Sequence, residues 1–262
     1  MAEYGQEASL LAGGTDLLVG IRNGKRKPSH LVNLNNLEEL REIRPLPDGG
    51  LRIGALATLR RIAFHPQVRE QYQALAESCQ MVGSVQIQNT GTLAGNICNA
   101  SPAADTAPSL LVLDARVNVV GLQSRRTIPV SDFILGPAQT ALRSDEVVES
   151  VDLPPGQKSA SCYLKLGRTR GVDLAIVGVA VQVSGRLAPG VAFASVAPTP
   201  LRVREAEAEL AVNPFDEARI EAATRAVIGA IHPISDLRAS AEYRTAMACV
   251  LLRRALEIVR KR

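Results

Sequence analysis

Along the first 155 residues the apolar positions come in short runs whose spacing switches between that of a strand and that of a helix. Residues 9–12 form an apolar approach to Gly13-Gly14. Thr15 or Asp16 can then cap a helix through Leu17, Leu18 and Ile21 that stops at Asn23-Gly24. Pro47-Asp48-Gly49-Gly50 turns the chain into residues 51–55, which alternate as a strand does. Thr58 opens a helix over 59–64, and 67–82 has the spacing of a longer amphipathic helix. A helix over 109–113 follows Pro108, residues 116–121 and 125–130 read as a hairpin, and 146–153 as a further strand.

Pro154-Pro155-Gly156 reads as a linker, predicting one domain over 1–156 and a second over 157–262. Beyond it the order changes. Three β-rich runs (162–168, 176–184 and 191–196) precede three helical stretches (202–210, 214–231 and 239–260). Ser184-Gly185-Arg186 is expected to turn the hairpin between the second and third runs. Strands followed by helices predict an antiparallel sheet with helices on one face, an α+β unit.

Composition narrows the function. With 262 residues, 46% hydrophobic and 21% charged, the chain can bury one or two cores and is neither disordered nor a disulfide scaffold. The net charge of +4 is spread thinly, apart from residues 22–27 and the last ten positions, which read as solvated surface. No Trp, four Phe and four Tyr leave few platforms for stacking bases, which disfavours a nucleic-acid-binding module. Cys79, Cys98, Cys162 and Cys249 form no CxxC pair, and His30, His65 and His232 are equally dispersed, so a metal site in this chain has no support. Free thiols fit a reducing compartment. The first 14 residues carry Glu3 and Glu7 and lack signal-peptide features, and no apolar run has the length of a membrane span. A cytoplasmic, soluble protein is expected.

Three segments can carry chemistry. In residues 10–18, Gly13-Gly14 permits close approach of a ligand to the backbone, and the following amides and the Thr15 hydroxyl suit a phosphate. The same residues also make an ordinary strand–turn–helix corner, and they match neither a GxGxxG nor a P-loop motif. Residues 83–105 are dense in Gly, Asn, Ser and Thr. Thr92 and the amides around Gly95 could meet phosphate oxygens, Asn96 could donate or accept, and Asp105 could accept from ribose hydroxyls or cap the next helix; a structural Ω-loop is the alternative. The third segment is 163–168 followed by Asp173. Tyr163 and Lys165 point to one face of a strand, where Lys165 could stabilise charge on a reduced cofactor or simply be exposed.

Taken in order, these segments resemble the FAD-binding medium subunit of the molybdenum hydroxylases, which include xanthine dehydrogenase-like and carbon monoxide dehydrogenase-like enzymes. Residues 194–202 (ASVAPTPLR) and 236–244 (DLRASAEYR) strengthen the likeness, which covers nearly the whole chain. The resemblance implies a two-part FAD-binding domain of the vanillyl-alcohol-oxidase type, divided near residue 55, followed by a small domain of three antiparallel strands and three helices. It implies that Ala12, Gly13, Gly14, Thr15, Asp16 and Leu17 wrap the pyrophosphate and that Leu11 binds the cofactor from the same loop. Thr92, Gly95 and Asn96 would form the second wall, and Asp105 would bind the ribityl or phosphate end. Val82 and Val148 would make apolar contacts, Lys165 would approach the isoalloxazine, and Leu174 would pack beside it.

By the same resemblance the chain carries electrons from a small subunit with two [2Fe–2S] clusters, through FAD, to NAD or another acceptor. A large subunit holds the molybdenum cofactor, and a dimer of heterotrimers is the expected assembly. No residue is expected to act as an acid, base or nucleophile. The sequence departs from the family at Ala94, where a glycine is usual, and by beginning a strand and most of a helix later than relatives do. A flavin-free structural subunit of the same fold is the alternative that this departure raises.

Overall fold

The chain opens with a β–α–β unit. Strands Ala8–Leu11 and His30–Asn33 run parallel, with Ala8 opposite His30 and Leu11 opposite Asn33. Parallel neighbours need a crossover, which helix Leu17–Arg22 provides. The computed structural model describes residues 3–156, 160–169, 171–183, 189–211 and 216–262.

Next comes a five-stranded antiparallel sheet in the order Ile43–Pro45, Leu51–Gly54, Val147–Leu153, Arg116–Val120, Arg125–Pro129. A division near residue 55 would cut this sheet, because Leu51–Gly54 pair with the strand Val147–Leu153. The hairpin at 116–129 forms as its alternation predicts. Its inward residues Val117 and Val119 join Ile53, Leu75, Leu110 and Val151 in the first core.

Two helices differ from their expected limits. The stretch 67–82 is not one helix but two, Pro66–Gln71 and Gln73–Met81, broken at Tyr72. The Tyr72 ring is buried and its hydroxyl donates to the Pro154 carbonyl at 2.8 Å. Apolar spacing survives the break because Val68, Leu75 and Cys79 enter the same core. The helix expected over 109–113 is Thr106–Val112, with Pro108 in its first turn, where a missing N–H costs nothing.

Glu146 lies just outside the strand that was expected to include it. Its buried carboxylate accepts two hydrogen bonds from Arg126, each 2.7 Å, and one from the Arg143 N–H at 2.7 Å. The Arg126 guanidinium and the Arg143 amide together hold its pKa down to about 2. A pKa below the unfolded value adds stability above the ordinary carboxylate range that is lost as pH falls through the folded value. Glu146→Gln is therefore expected to cost about 2 kcal/mol near neutrality. The gap should close as pH falls from the ordinary value of 4.5 towards 2. Denaturant midpoints across that range are the check, and coincident midpoints at neutral pH would refute it.

A short antiparallel ribbon pairs Ile134–Gly136 with Gln139–Thr140, and the C-terminal sheet consists of Ala160–Leu166, Val177–Val183, Gly190–Ala194 and Leu201–Arg202, antiparallel and in sequence order. The sheet thus has four strands where three were expected. Arg202 was expected to open a helix, but Leu201 and Arg202 pair with Phe193 and Ala192, and the helix begins at Arg204. Arg202 is held here by Glu207, the Leu111 carbonyl and Asp114, each at 2.6 Å. The Ser184-Gly185-Arg186 turn lies outside the described residues.

This sheet is buried on both faces, and its two faces differ. Tyr163, Ala180 and Ala192 belong to the first core. Cys162, Val179, Val181, Val191 and Phe193 belong to a second core, built against helices Arg204–Leu210, Glu217–Ala230 and Ala241–Arg260. Where helix Thr106–Val112 presses on the first face its residues are small, such as Gly190 and Ala192: a Cβ at Gly190 would lie 2.8 Å from that of Val112. The architecture is α+β throughout. No described helix is long and apolar enough to cross a membrane.

Candidate functional site

Three separated segments, residues 10–17, 82–105 and 172–174, together with Arg26 and Leu59, line one cleft of about 540 Å³. The first segment leaves its strand at Leu11 and reaches helix Leu17–Arg22 through a turn that only glycines can make. Gly13 lies flat against the backbone of the second segment, where a Cβ would stand 2.1 Å from the Thr90 carbonyl oxygen. Gly14 has φ +71°, a left-handed conformation, and a Cβ there would also meet Leu11 at 2.9 Å. The floor beneath this turn is thus bare backbone.

The second segment is not an Ω-loop. It folds into two short helices, Val85–Thr90 and Leu93–Cys98, with Gly91 between them. Ser84 and Thr92 are their N-caps, accepting from the Ile87 and Gly95 amides. The Ser84 and Thr92 caps were the signal that the density of small polar residues hid. Ala94 sits inside the second helix, so alanine in place of glycine brings no backbone strain. Asn96 accepts from the Thr106 hydroxyl at 2.6 Å, which orients its amide.

Asp105 occupies the N-cap position of helix Thr106–Val112 but does not cap it. Its carboxylate turns instead to the other sheet, accepting from the Tyr163 hydroxyl at 2.7 Å and from Lys165 Nζ at 2.8 Å. Lys165 also donates to the Met81 carbonyl at 3.0 Å. Gly178 makes room for this arrangement, since a Cβ there would stand 2.4 Å from the Tyr163 oxygen. Burial raises the Asp105 pKa, opposed by the Lys165 charge and by hydrogen bonds from Lys165 and Tyr163. Burial likewise pushes the Cys98 thiol up to about 12, so this cleft-lining sulfur is an inert wall.

Twelve residues singled out from sequence line the cleft: Ala12, Gly13, Gly14, Thr15, Asp16, Leu17, Val82, Thr92, Gly95, Asn96, Asp105 and Leu174. Three do not. Leu11 faces a smaller cavity behind the glycine turn. Val148 is core, paired with Val119 and buried, because a register shift between its strand and Arg116–Val120 turns it to the same inward face as Val151 and Leu153. Lys165 stands behind Asp105 and does not line the cleft.

Sequence reasoning missed Arg26, which it assigned to solvated surface. The amides of Lys25 and Arg26 both donate to the Gly20 carbonyl, curling the chain back so that Arg26 lies over the bare Gly20 and on the cleft. Asn99, Ser101 and Val172 were also missed. Val172 and Leu174 are exposed apolar residues on the rim. Between them Asp173 is held by Arg168 and the Leu174 amide, which keep its pKa low.

The site can therefore seat an extended, polyfunctional ligand. Bare glycine backbone and Arg26 suit a pyrophosphate, amide and hydroxyl side chains suit sugar hydroxyls, and the Val172–Leu174 rim suits a flat apolar ring. Two of the three lining carboxylates, Asp105 and Asp173, are neutralised by cations. The donor set fits a flavin dinucleotide.

Residues 1–156 match the family described as FAD binding domain in molybdopterin dehydrogenase, and residues 162–259 match the CO dehydrogenase flavoprotein C-terminal domain. The carbon monoxide dehydrogenase medium chain of Hydrogenophaga pseudoflava is 33% identical over 98% of this chain and 90% of its own length. The xanthine dehydrogenase FAD-binding subunit of Escherichia coli O157:H7 is 32% identical over 91% of this chain and 84% of its own. Among solved structures, carbon monoxide dehydrogenase from Hydrogenophaga pseudoflava superposes with a TM-score of 0.94 at 33% identity, covering 98% of this chain and 91% of that one. Quinoline 2-oxidoreductase from Pseudomonas putida 86 superposes with a TM-score of 0.90 at 26% identity, covering 97% and 89%.

Proposed function

This chain belongs to the FAD-binding medium subunits of the molybdenum-containing dehydrogenases, and on that premise we propose that its cleft holds one FAD. The chain is the electron-carrying subunit of an oxidoreductase. It takes electrons from the [2Fe–2S] clusters of a small partner subunit and delivers them to an acceptor such as NAD, while a large subunit carries the molybdenum cofactor. Dimers of heterotrimers working in the cytoplasm complete the reading. The observation that carries it is the backbone-to-backbone contact of Gly13 with Thr90, which joins the glycine turn to the second polar segment along the cleft.

When bound, FAD supplies a ring that accepts and returns electrons. The protein's part is to bind and orient it. Gly13, Gly14, Thr15 and Arg26 take the pyrophosphate; Thr92 and Asn96 bond to hydroxyls along the linker. Asp105, paired with Lys165 and hydrogen-bonded by the Tyr163 hydroxyl, is aimed to accept from the ribityl chain. Leu174 and Val172 cover the ring and exclude water from one side. Among the described residues, no side chain on the cleft is arranged to act as acid, base or nucleophile.

The test is the visible absorbance of the purified chain, alone and co-purified with its partner subunits. One equivalent of flavin per chain is expected to be released on denaturation. Colourless protein in both preparations would overturn the reading in favour of a flavin-free structural subunit.

A further inference from the structure

We infer that Asn35 is the positioning residue of the first glycine turn, an inference that rests on the FAD reading above. The parallel strand pair brings Asn35 to the turn from 23 residues away. The Leu34 N–H donates to the Leu11 carbonyl, extending the ladder, and Asn35 Nδ2 then donates to the Ala12 carbonyl at 3.0 Å. The carboxamide is fixed from both ends. Asn33 Oδ1 accepts from the Asn35 N–H at 3.0 Å and from Nδ2 at 2.9 Å. Arg41 donates to Asn35 Oδ1 at 3.2 Å and to its main-chain carbonyl at 2.9 Å. A flipped amide would set its NH2 against the guanidinium, so only one orientation satisfies all partners.

The consequence falls on the next amide. A trans peptide is planar, so the Ala12 C=O and the Gly13 N–H point in opposite directions. Asn35 and Arg41 line only the cavity behind the turn, whereas Gly14, Thr15 and Asp16 line the cleft. Drawing the Ala12 oxygen rearward removes a phosphate-repelling carbonyl from the cleft and aims the Gly13 N–H towards it. Gly13 has no side chain to resist rotation of this peptide, and so the hold has to come from outside.

Asn35→Asp keeps the shape but replaces the donor by an acceptor, and Asn35→Ala removes the donor without adding charge. In the full chain, both are expected to weaken FAD and ADP binding about tenfold or more, as loss of a donor to a charged group does. Riboflavin, which has no phosphate, should bind within about twofold of wild type. Unchanged FAD affinity, or an equal loss for riboflavin, would overturn the inference. If either variant fails to fold, Arg41→Met frees the carboxamide and must give the same selective loss. Wild-type protein that binds no FAD would instead refute the proposed function.

Discussion

Gly13→Ala is expected to leave a folded chain that has lost most of its affinity for FAD. The new methyl would stand 2.1 Å from the Thr90 carbonyl oxygen, a backbone atom that cannot rotate away, so the two walls of the cleft must separate. Overpacking of this kind costs about 1–3 kcal/mol. If the cost falls on the bound geometry, FAD binding weakens about tenfold to a hundredfold. Gly14→Val should be at least as severe, because it adds left-handed strain to a clash with Leu11 and Leu18. Gly24→Ala is the control: its φ of +69° is equally left-handed, but nothing lies within 4 Å of its Cβ. It should cost about 1 kcal/mol of stability and leave FAD affinity alone. Equilibrium titration of the three variants separates these outcomes, and a Gly13→Ala chain binding FAD like wild type would refute the packing argument.

Lys165→Met is expected to cost about 3–5 kcal/mol near neutrality, because it leaves the buried Asp105 carboxylate without its cation. The pH dependence has a definite sign. Asp105 already has a raised pKa, and losing Lys165 raises it further. Between the ordinary and the raised value the folded state binds more protons than the unfolded one, so stability falls as pH rises. The penalty should therefore shrink on acidification, as Asp105 takes up a proton and no longer needs a cation. Adding Asp105→Asn to Lys165→Met should recover part of the loss at neutral pH. Denaturant midpoints across the pH range are the measurement, and a penalty that is flat in pH would rule out an ionised Asp105 as its source.

The sequence was most legible where periodicity and turn chemistry agreed. The hairpin at 116–129 has unambiguous spacing, and the last two helices also have clear caps, Asp216 accepting from the Arg219 amide and Ser240 from the Tyr243 amide. It was least legible where tertiary contacts decide. Tyr72 breaks a continuous amphipathic pattern because its ring and hydroxyl are claimed elsewhere. His30–Asn33 pairs with Ala8–Leu11 although Leu31 and Val32 alone give too short an apolar run. At the site, the glycine turn and the polar second wall were readable because their residue types are rare in cores. Arg26 and Asn35 were not, since each is an ordinary polar residue until the chain curls it onto the loop. Lys165 was recognised, but its engagement with Asp105 needed the fold, for the two lie 60 positions apart.

The two-faced sheet also bears on how this protein is made. Helix Thr106–Val112 is buried along its whole length, partly against Gly190 and Ala192. During synthesis roughly 80 further residues must leave the ribosome before that cover exists; at about 5–20 residues per second this takes several seconds. Throughout that interval the nascent chain presents an uncovered greasy flank, which makes it a natural client for a chaperone holding it until the second sheet arrives.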